Sequence, residues 1–183
     1  MVQLRGGQWP SEWKPHGWTG KDNADDEPFA SWWERLHPVF PNLDPRVLEQ
    51  WVHAHWDTSP YFGFPLQRCR CTIERLPTDL LIHQVGQAGC WMDDNDPADA
   101  DAAYVAFSRS GLYHPMLTKG TWDMPVLLAY STSGFVYEDI ELPQFRYWLL
   151  EGHRRHDLLR GLAVRGEAAS DHDVLVLSPF PSR

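Results

Sequence analysis

Hydrophobic residues occur in short separate blocks along the last third of the chain, and each block predicts one element. The apolar runs 122–130 and 145–150 are bounded by proline, serine or glycine, which is typical of buried strands. Residues 153–163 instead place apolar side chains at helical spacing, and 172–177 form a third short apolar run. The order strand, strand, helix, strand predicts an α+β fold in which a small mixed β-sheet has helices packed against it.

The first third of the chain shows helical patterns between polar stretches. Ser31 and Glu34 have the spacing of a capping box, in which each side chain satisfies a free backbone N–H, and they predict a short helix. Asp44 followed by Pro45 predicts a second helix, because aspartate caps helix N-termini and proline fits the first helical position. Apolar side chains at helical spacing then extend this helix to about residue 56.

The middle of the chain is less regular. Residues 68–75 predict a strand, 80–85 begin a new element for which a helix is favoured, and 101–109 predict a further helix. The acid-rich segment 92–101 resembles a calcium loop only superficially, because it lacks the fixed glycine and terminal glutamate of an EF-hand. We therefore expect a solvated loop there.

Composition sets the domain organisation that we expect. With 183 residues, 43% of them hydrophobic, the chain is long enough for one domain with a sizeable core. We predict a Trp-rich, mainly helical N-terminal extension over 1–66 and an α+β domain over 67–183. The tryptophans of the extension either fill a core or form a surface for a protein partner. They are Trp9, Trp13, Trp18, Trp32, Trp33, Trp51 and Trp56.

Net charge and hydropathy exclude some function classes. The net charge of −9 makes nucleic acid an unlikely partner, because proteins that bind nucleic acid carry basic surfaces. No apolar run is long enough to span a membrane, and the first residues lack the apolar stretch of a signal peptide. We therefore expect a cytoplasmic protein without a membrane partner.

Candidate metal ligands are few. The three cysteines, Cys69, Cys71 and Cys90, are an odd number, which predicts reduced thiols. Cys69 and Cys71 form a C-x-C pair rather than C-x-x-C, and a zinc site there would need further ligands, so we expect two small side chains on one strand face and no metal. His53 and His55 lie two apart and point to different faces of the predicted helix, whereas two metal ligands on one helix usually lie four apart. We expect a packed or surface histidine at position 55.

The segment "YWLLEGHRRHDLLRGL", residues 147–162, carries the strongest functional signal. A strand ends at a glycine, and the helix that follows opens with His153, Arg154 and Arg155. Cationic side chains are unfavourable at a helix N-terminus, where the free N–H groups already carry partial positive charge, unless an anion binds there. Arginine matches phosphate oxygens, so we predict a phosphate site at this turn. The alternative is that the arginines are solvated and that His153 caps a backbone group.

The same segment resembles a known superfamily. "LLEGHRRHDLLRGLA" is similar to the signature segment of the ParB/sulfiredoxin-like fold, in which a strand ends in a D/E-G-H-x-R or G-E-R-R turn and a helix follows. Three flanking segments resemble other parts of that fold: "LPTDLL", "MLTKGTWDMPVLLAY" and "DVLVL". The resemblance covers about residues 72–178. It implies an α+β domain that binds nucleotide phosphates.

The resemblance also implies site residues. Glu151, His153 and Arg155 take the catalytic positions of the motif. Gly152, His153, Arg154 and Arg155 take the positions that bind phosphate or nucleotide. A Mg²⁺ ion that arrives with the nucleotide would bridge its phosphates, and no resident metal is implied.

Departures from the family pattern exclude some of the activities that the resemblance implies. Gly152 stands where sulfiredoxin has a cysteine, so sulfinic acid repair is not expected, and His153 replaces the glutamate of the G-E-R-R pattern. The motif is closest to the D-G-H-x-R subgroup, whose small-molecule kinases need a carboxylate base from elsewhere in the chain. Candidates for that base are Glu74, Asp79 and Asp123.

Three function classes remain open from the sequence. The first is a protein that binds a nucleotide or another phosphorylated small molecule and acts as an NTP-dependent phosphotransferase or NTPase. The second is a non-catalytic interaction module that binds a protein through its Trp-rich extension. The third is a DNA-associated nuclease of the same superfamily, against which the acidic net charge argues.

Overall fold

The computed structural model describes residues 1–19, 26–88 and 97–180. The strands are β1 (Val2–Gln3), β2 (Cys69–Pro77), β3 (Val85–Gly86), β4 (Leu127–Tyr130), β5 (Phe135–Tyr137), β6 (Ile140–Leu142), β7 (Tyr147–Glu151) and β8 (Asp171–Pro179). The helices are α1 (Phe29–Leu36), α2 (Pro45–Val47, continued by a π-helix over Leu48–His53), α3 (Thr78–His83), α4 (Pro97–Ser108), α5 (His114–Lys119) and α6 (His153–Val164).

A five-stranded mixed sheet in the order β2-β8-β4-β7-β3 forms the centre of the fold. β4 runs parallel to β8 and β3 runs parallel to β7, whereas the β2–β8 and β4–β7 pairs are antiparallel. The predicted α+β fold with a mixed sheet is therefore confirmed. β4, β7 and β8 occupy the three central positions, which explains why their sequences are nearly continuous apolar runs.

Both faces of this sheet are covered. Helices α3, α5 and α6 pack on one face through a cluster that includes Leu81, Met116 and Leu158. The region 1–66, which we call the Trp-rich region, packs on the other face and shares one cluster with Leu127 and Leu177. The strands of the main sheet are therefore buried between two layers.

Most tryptophans of the Trp-rich region belong to this shared core. Trp32 and Trp51 are fully buried, and Trp9 and Trp13 are 5% exposed. The indole N–H of Trp32 donates to the Trp13 carbonyl at 2.6 Å. These four side chains fill a core, as one of the two interpretations of the sequence predicted.

The second sheet contains strands from both parts of the predicted domain division. Its order is β1-β5-β6, and β1 of the Trp-rich region runs parallel to β5. Together with the shared core, this pairing ties the Trp-rich region to the rest of the chain. The boundary near residue 66 stays a prediction.

The helix starts of the Trp-rich region were predicted with mixed success. The capping-box prediction is wrong, because α1 begins at Phe29 and Ser31 lies inside it, while Pro28 precedes the helix without a side-chain cap. Asp44 is confirmed as a cap: its carboxylate accepts from the Arg46 N–H at 3.0 Å. The helix that follows is α-helical for only three residues before the π-helix begins.

Sequence patterns located the middle elements approximately. β2 and α3 lie near their predicted positions, and α4 begins at residue 97, earlier than the predicted 101. Asp99 in its first turn suits the positive end of a helix. The predicted acidic loop lies largely outside the described residues.

The β5–β6 hairpin was missed. No strand was predicted between residues 131 and 143, yet Phe135 pairs with Leu142 across this hairpin. Its turn places Glu138 at φ 53°, a left-handed conformation that is uncommon for residues other than glycine. The two strands have only three residues each and lie beside polar turn residues, which is why the sequence pattern did not predict them.

His172 is a buried polar residue that links β8 to α3 and to the segment before β4. Its Nε2 lies 2.8 Å from the Thr78 hydroxyl, which itself donates to the Ala169 carbonyl. Its Nδ1 lies 2.8 Å from the Thr121 hydroxyl. Because the Thr78 hydroxyl proton is used on Ala169, Nε2 carries the proton and donates, and Nδ1 accepts from Thr121. Burial favours this neutral form and lowers the pKa of His172.

Acid should therefore destabilise the fold through His172. Its pKa is depressed in the native state, so its contribution is fully present above the unfolded value of about 6.5 and is lost as pH falls toward the native value. We expect the free energy of unfolding, measured in urea at pH 7 and pH 5, to fall less in His172→Gln than in the parent. His83→Gln, which changes an exposed histidine, is the control. An equal loss in parent and His172→Gln would contradict this account.

Candidate functional site

The turn between β7 and α6 is the centre of the candidate site, and we call residues 151–155 the Gly152 turn. Gly152 has φ 96° and ψ 25°, a left-handed conformation. The first helical hydrogen bond runs from the His156 N–H to the Gly152 carbonyl at 2.9 Å. The amides of the three residues in between precede that bond, so they have no helical acceptor and form the positive end of α6.

Only glycine fits at position 152. A Cβ atom built there would lie 2.7 Å from Val126 Cγ1 and 3.0 Å from Arg155 Nη2. The positive φ adds backbone strain for any other residue. The predicted role of glycine, a close approach of the backbone at the end of the strand, therefore has a physical basis in the fold.

A cavity of about 350 Å³ opens at the Gly152 turn. All five residues that the sequence singled out line it. Two residues that the sequence analysis did not include in the site complete the lining. The set is Glu151, Gly152, His153, Arg154 and Arg155, together with His55 and Tyr113.

The two arginines have different surroundings. The Arg155 guanidinium donates from Nη1 to the Met124 carbonyl at 2.6 Å and from Nη2 to Gln50 Oε1 at 2.7 Å. A longer bond of 3.4 Å reaches the Pro125 carbonyl, and burial lowers the pKa of Arg155. Arg155 therefore ties α6 to the segment before β4 and to the π-helix.

Arg154 is exposed and has no hydrogen-bond or ion-pair partner within residues 1–19, 26–88 and 97–180. Its five N–H donors are therefore available to a ligand. An incoming anion can therefore bind the Arg154 guanidinium without breaking existing hydrogen bonds, whereas Arg155 would first have to give up its bonds to protein oxygens.

His153 is not a cation at neutral pH. Its pKa is lowered to about 4, mainly by burial and also by the neighbouring His156 and His55. The ring lies nearly parallel to that of Tyr61, with 6.4 Å between ring centroids and 14° between planes. The neutral imidazole offers one donor and one acceptor, so the cationic side chains of the turn are its arginines.

His55 lies at the same cavity. Its Nε2 is 3.7 Å from Glu151 Oε2, and the two side chains are 23% and 22% exposed. The predicted divergence of the two helix histidines is confirmed, because His53 instead hydrogen bonds the Glu27 carbonyl. The expectation of a merely packed or surface histidine at position 55 missed this pairing.

The three base candidates are dispersed. Glu74 accepts from the Tyr147 hydroxyl at 3.4 Å, and Asp79 forms an exposed pair with His83 on α3. Neither lines the cavity. Asp123 is the candidate whose charge acts on Arg155, and its Oδ1 accepts from the Met124 N–H.

The described residues contain no group of three or more histidine, cysteine or acidic side chains that could hold a metal ion. Cys69 and Cys71 are free thiols, and burial raises their pKa values to about 12 and about 11. Cys90 lies outside the described residues. In the same part of the chain, every helix is too short or too polar to cross a membrane.

Comparison of the chain with protein-family models, with curated proteins and with solved structures found no match.

Substitution of the turn glycine should be costly. Gly152→Ala combines left-handed strain of about 1–2 kcal/mol with overpacking of about 1–3 kcal/mol against Val126 and Arg155. Gly166→Ala is the matched control, because Gly166 has φ 70° but its Cβ would meet nothing within 4 Å. Thermal and urea unfolding should show the larger loss for Gly152→Ala. Equal losses would mean that close packing at the turn is unimportant.

Proposed function

We propose that the protein binds a nucleotide through its phosphates at the Gly152 turn. The observation that carries this proposal is the cavity in which a helix N-terminus that follows a glycine lies beside Arg154, an arginine without a partner among the described residues. Free amides at a helix N-terminus attract anions, and an arginine fork adds donors that match phosphate oxygens.

Each residue of the site has a separate role in binding the phosphates. The amides of His153, Arg154 and Arg155 hold phosphate oxygens, and the Arg154 guanidinium binds an outer oxygen. Arg155 acts through its bonds to Met124 and Gln50, which fix the direction of α6. Neutral His153 supplies one further hydrogen bond.

A nucleotide suits the cavity better than a bare phosphate ion. Its volume of about 350 Å³ is at the lower end of the range of small-molecule pockets, about 300–1,000 Å³. Tyr113 on its wall offers an aromatic surface beside the polar groups. The resemblance of the turn to the ParB/sulfiredoxin-like motif supports the same ligand class.

Catalysis at this site would be phosphoryl transfer or hydrolysis of a nucleoside triphosphate. Mg²⁺ that arrives with the nucleotide would neutralise charge on its phosphates, with Glu151 as the nearby carboxylate that holds the metal-bound water or the attacking water. Arg154 would neutralise the charge that develops in the transition state.

Arg154→Ala tests this proposal without disturbing the fold. Loss of one charge-assisted hydrogen bond of about 1.5–3 kcal/mol should weaken nucleotide affinity roughly tenfold or more. We expect Mg²⁺ with ATP, CTP or GTP to raise the unfolding temperature of the parent and to do so much less for Arg154→Ala.

Arg70→Ala is the matched control, because Arg70 is an exposed arginine on the edge strand β2. It should respond to nucleotide like the parent. If none of the three nucleotides stabilises the parent, or if both variants respond equally, the proposed site is wrong.

A further inference from the structure

The cavity contains a negative charge that the proposed function must accommodate. Glu151 is the first residue of the Gly152 turn and lines the cavity. A carboxylate repels a phosphate, and the repulsion is stronger in a partly buried cavity than in water. Arg155 is the cation of the turn whose charge acts on Glu151, but its fork donates to Met124 and Gln50 and not to the carboxylate, and His153 is neutral.

His55 is the group that faces this carboxylate. Its Nε2 is 3.7 Å from Glu151 Oε2, and both side chains are more than three-quarters buried. The Thr58 hydroxyl lies 3.4 Å from Nδ1, on the other side of the ring. The backbone N–H groups of Thr58 and Ser59 both donate to the His55 carbonyl, so the turn itself holds this residue in place.

Two residues of the Trp-rich region reach the Gly152 turn. Gln50 contacts Arg155 and His55 contacts Glu151, although the two residues are five positions apart. In a regular α-helix of 3.6 residues per turn, side chains five apart point about 140° apart. Gln50 lies in the π-helix, which ends at His53, whereas His55 lies in the turn that follows, so the two side chains reach the start of α6 from different local structures.

We propose that His55 is a positioning residue that, when protonated, pairs with Glu151 and offsets its charge, so that the cavity at the Gly152 turn accepts a phosphate. This inference rests on the proposed function. The Trp-rich region is then part of the binding site as well as the cover of one sheet face. His55 acts through Glu151 and does not itself contact the phosphate.

A double-mutant cycle tests this pairing. Dissociation constants for inorganic phosphate and for Mg²⁺–ATP are measured for the parent, His55→Ala, Glu151→Gln and the double variant. His55→Ala should weaken binding about threefold to tenfold, since the carboxylate is left unpaired beside the anion. In the Glu151→Gln background the same change should have an effect of less than about twofold, because no charge remains to offset.

Two further variants separate charge from packing. His55→Lys restores a cation beside Glu151, so its dissociation constant for phosphate should be within about threefold of the parent's. If the loss in His55→Ala came from packing, lysine would not restore the affinity. His83→Ala is the control, because His83 also pairs with an acidic side chain but lies exposed on α3. It should bind like the parent.

The outcomes are distinct. Equal weakening by His55→Ala in both backgrounds, without rescue by His55→Lys, means that His55 is structural and overturns this inference alone. Rescue by His55→Lys supports it even if Glu151→Gln does not fold. If neither phosphate nor Mg²⁺–ATP binds to the parent, the proposed function falls and this inference falls with it.

Discussion

The left-handed turn at Gly152 is the constraint on which the rest of the site depends. The turn leaves no room for a Cβ atom between Val126 and Arg155, so the chain passes from strand to helix in close contact with the residue that precedes β4. Arg155 then bonds the carbonyl of Met124, just before that strand, and fixes the helix that the turn begins. The free amides of α6 therefore have a fixed direction, which an anion site requires.

The same contacts join two regions that are distant in sequence. Gln50 of the π-helix accepts from Arg155, and His55 pairs with Glu151. Both contacts depend on the packing of the Trp-rich region against the main sheet, where Trp51 is fully buried. The tryptophans contribute to the site indirectly, because their burial holds a helix with unusual winding against the Gly152 turn.

Local patterns in the sequence were sufficient for the elements that form the turn. The apolar runs before Gly152, the glycine itself and the helical spacing after it predicted β7 and α6 within a residue or two at each end. The mixed sheet followed from the order of strands and helix. The small β5–β6 hairpin could not be recognised, because strands of three residues carry too few positions for alternation to show.

Long-range contacts account for what the sequence could not show. Arg154 and Arg155 are adjacent and chemically identical, yet one is exposed and the other is bonded to three protein oxygens from distant segments. His55 lies in the turn after the π-helix, and its partner Glu151 is distant in the sequence, so no local spacing indicates their contact. The low pKa of His153 likewise arises from burial by other elements, so its charge could not be read from its neighbours in sequence.

The central claim is that the amides of the Gly152 turn bind a phosphate, and an amide-resolved NMR titration tests it most directly. Phosphate is added to ¹⁵N-labelled protein at constant ionic strength, with chloride as the reference anion. The account predicts saturable shifts that are largest for the amides of residues 152–155. Shifts that are absent, that do not saturate, or that occur equally with chloride would contradict it.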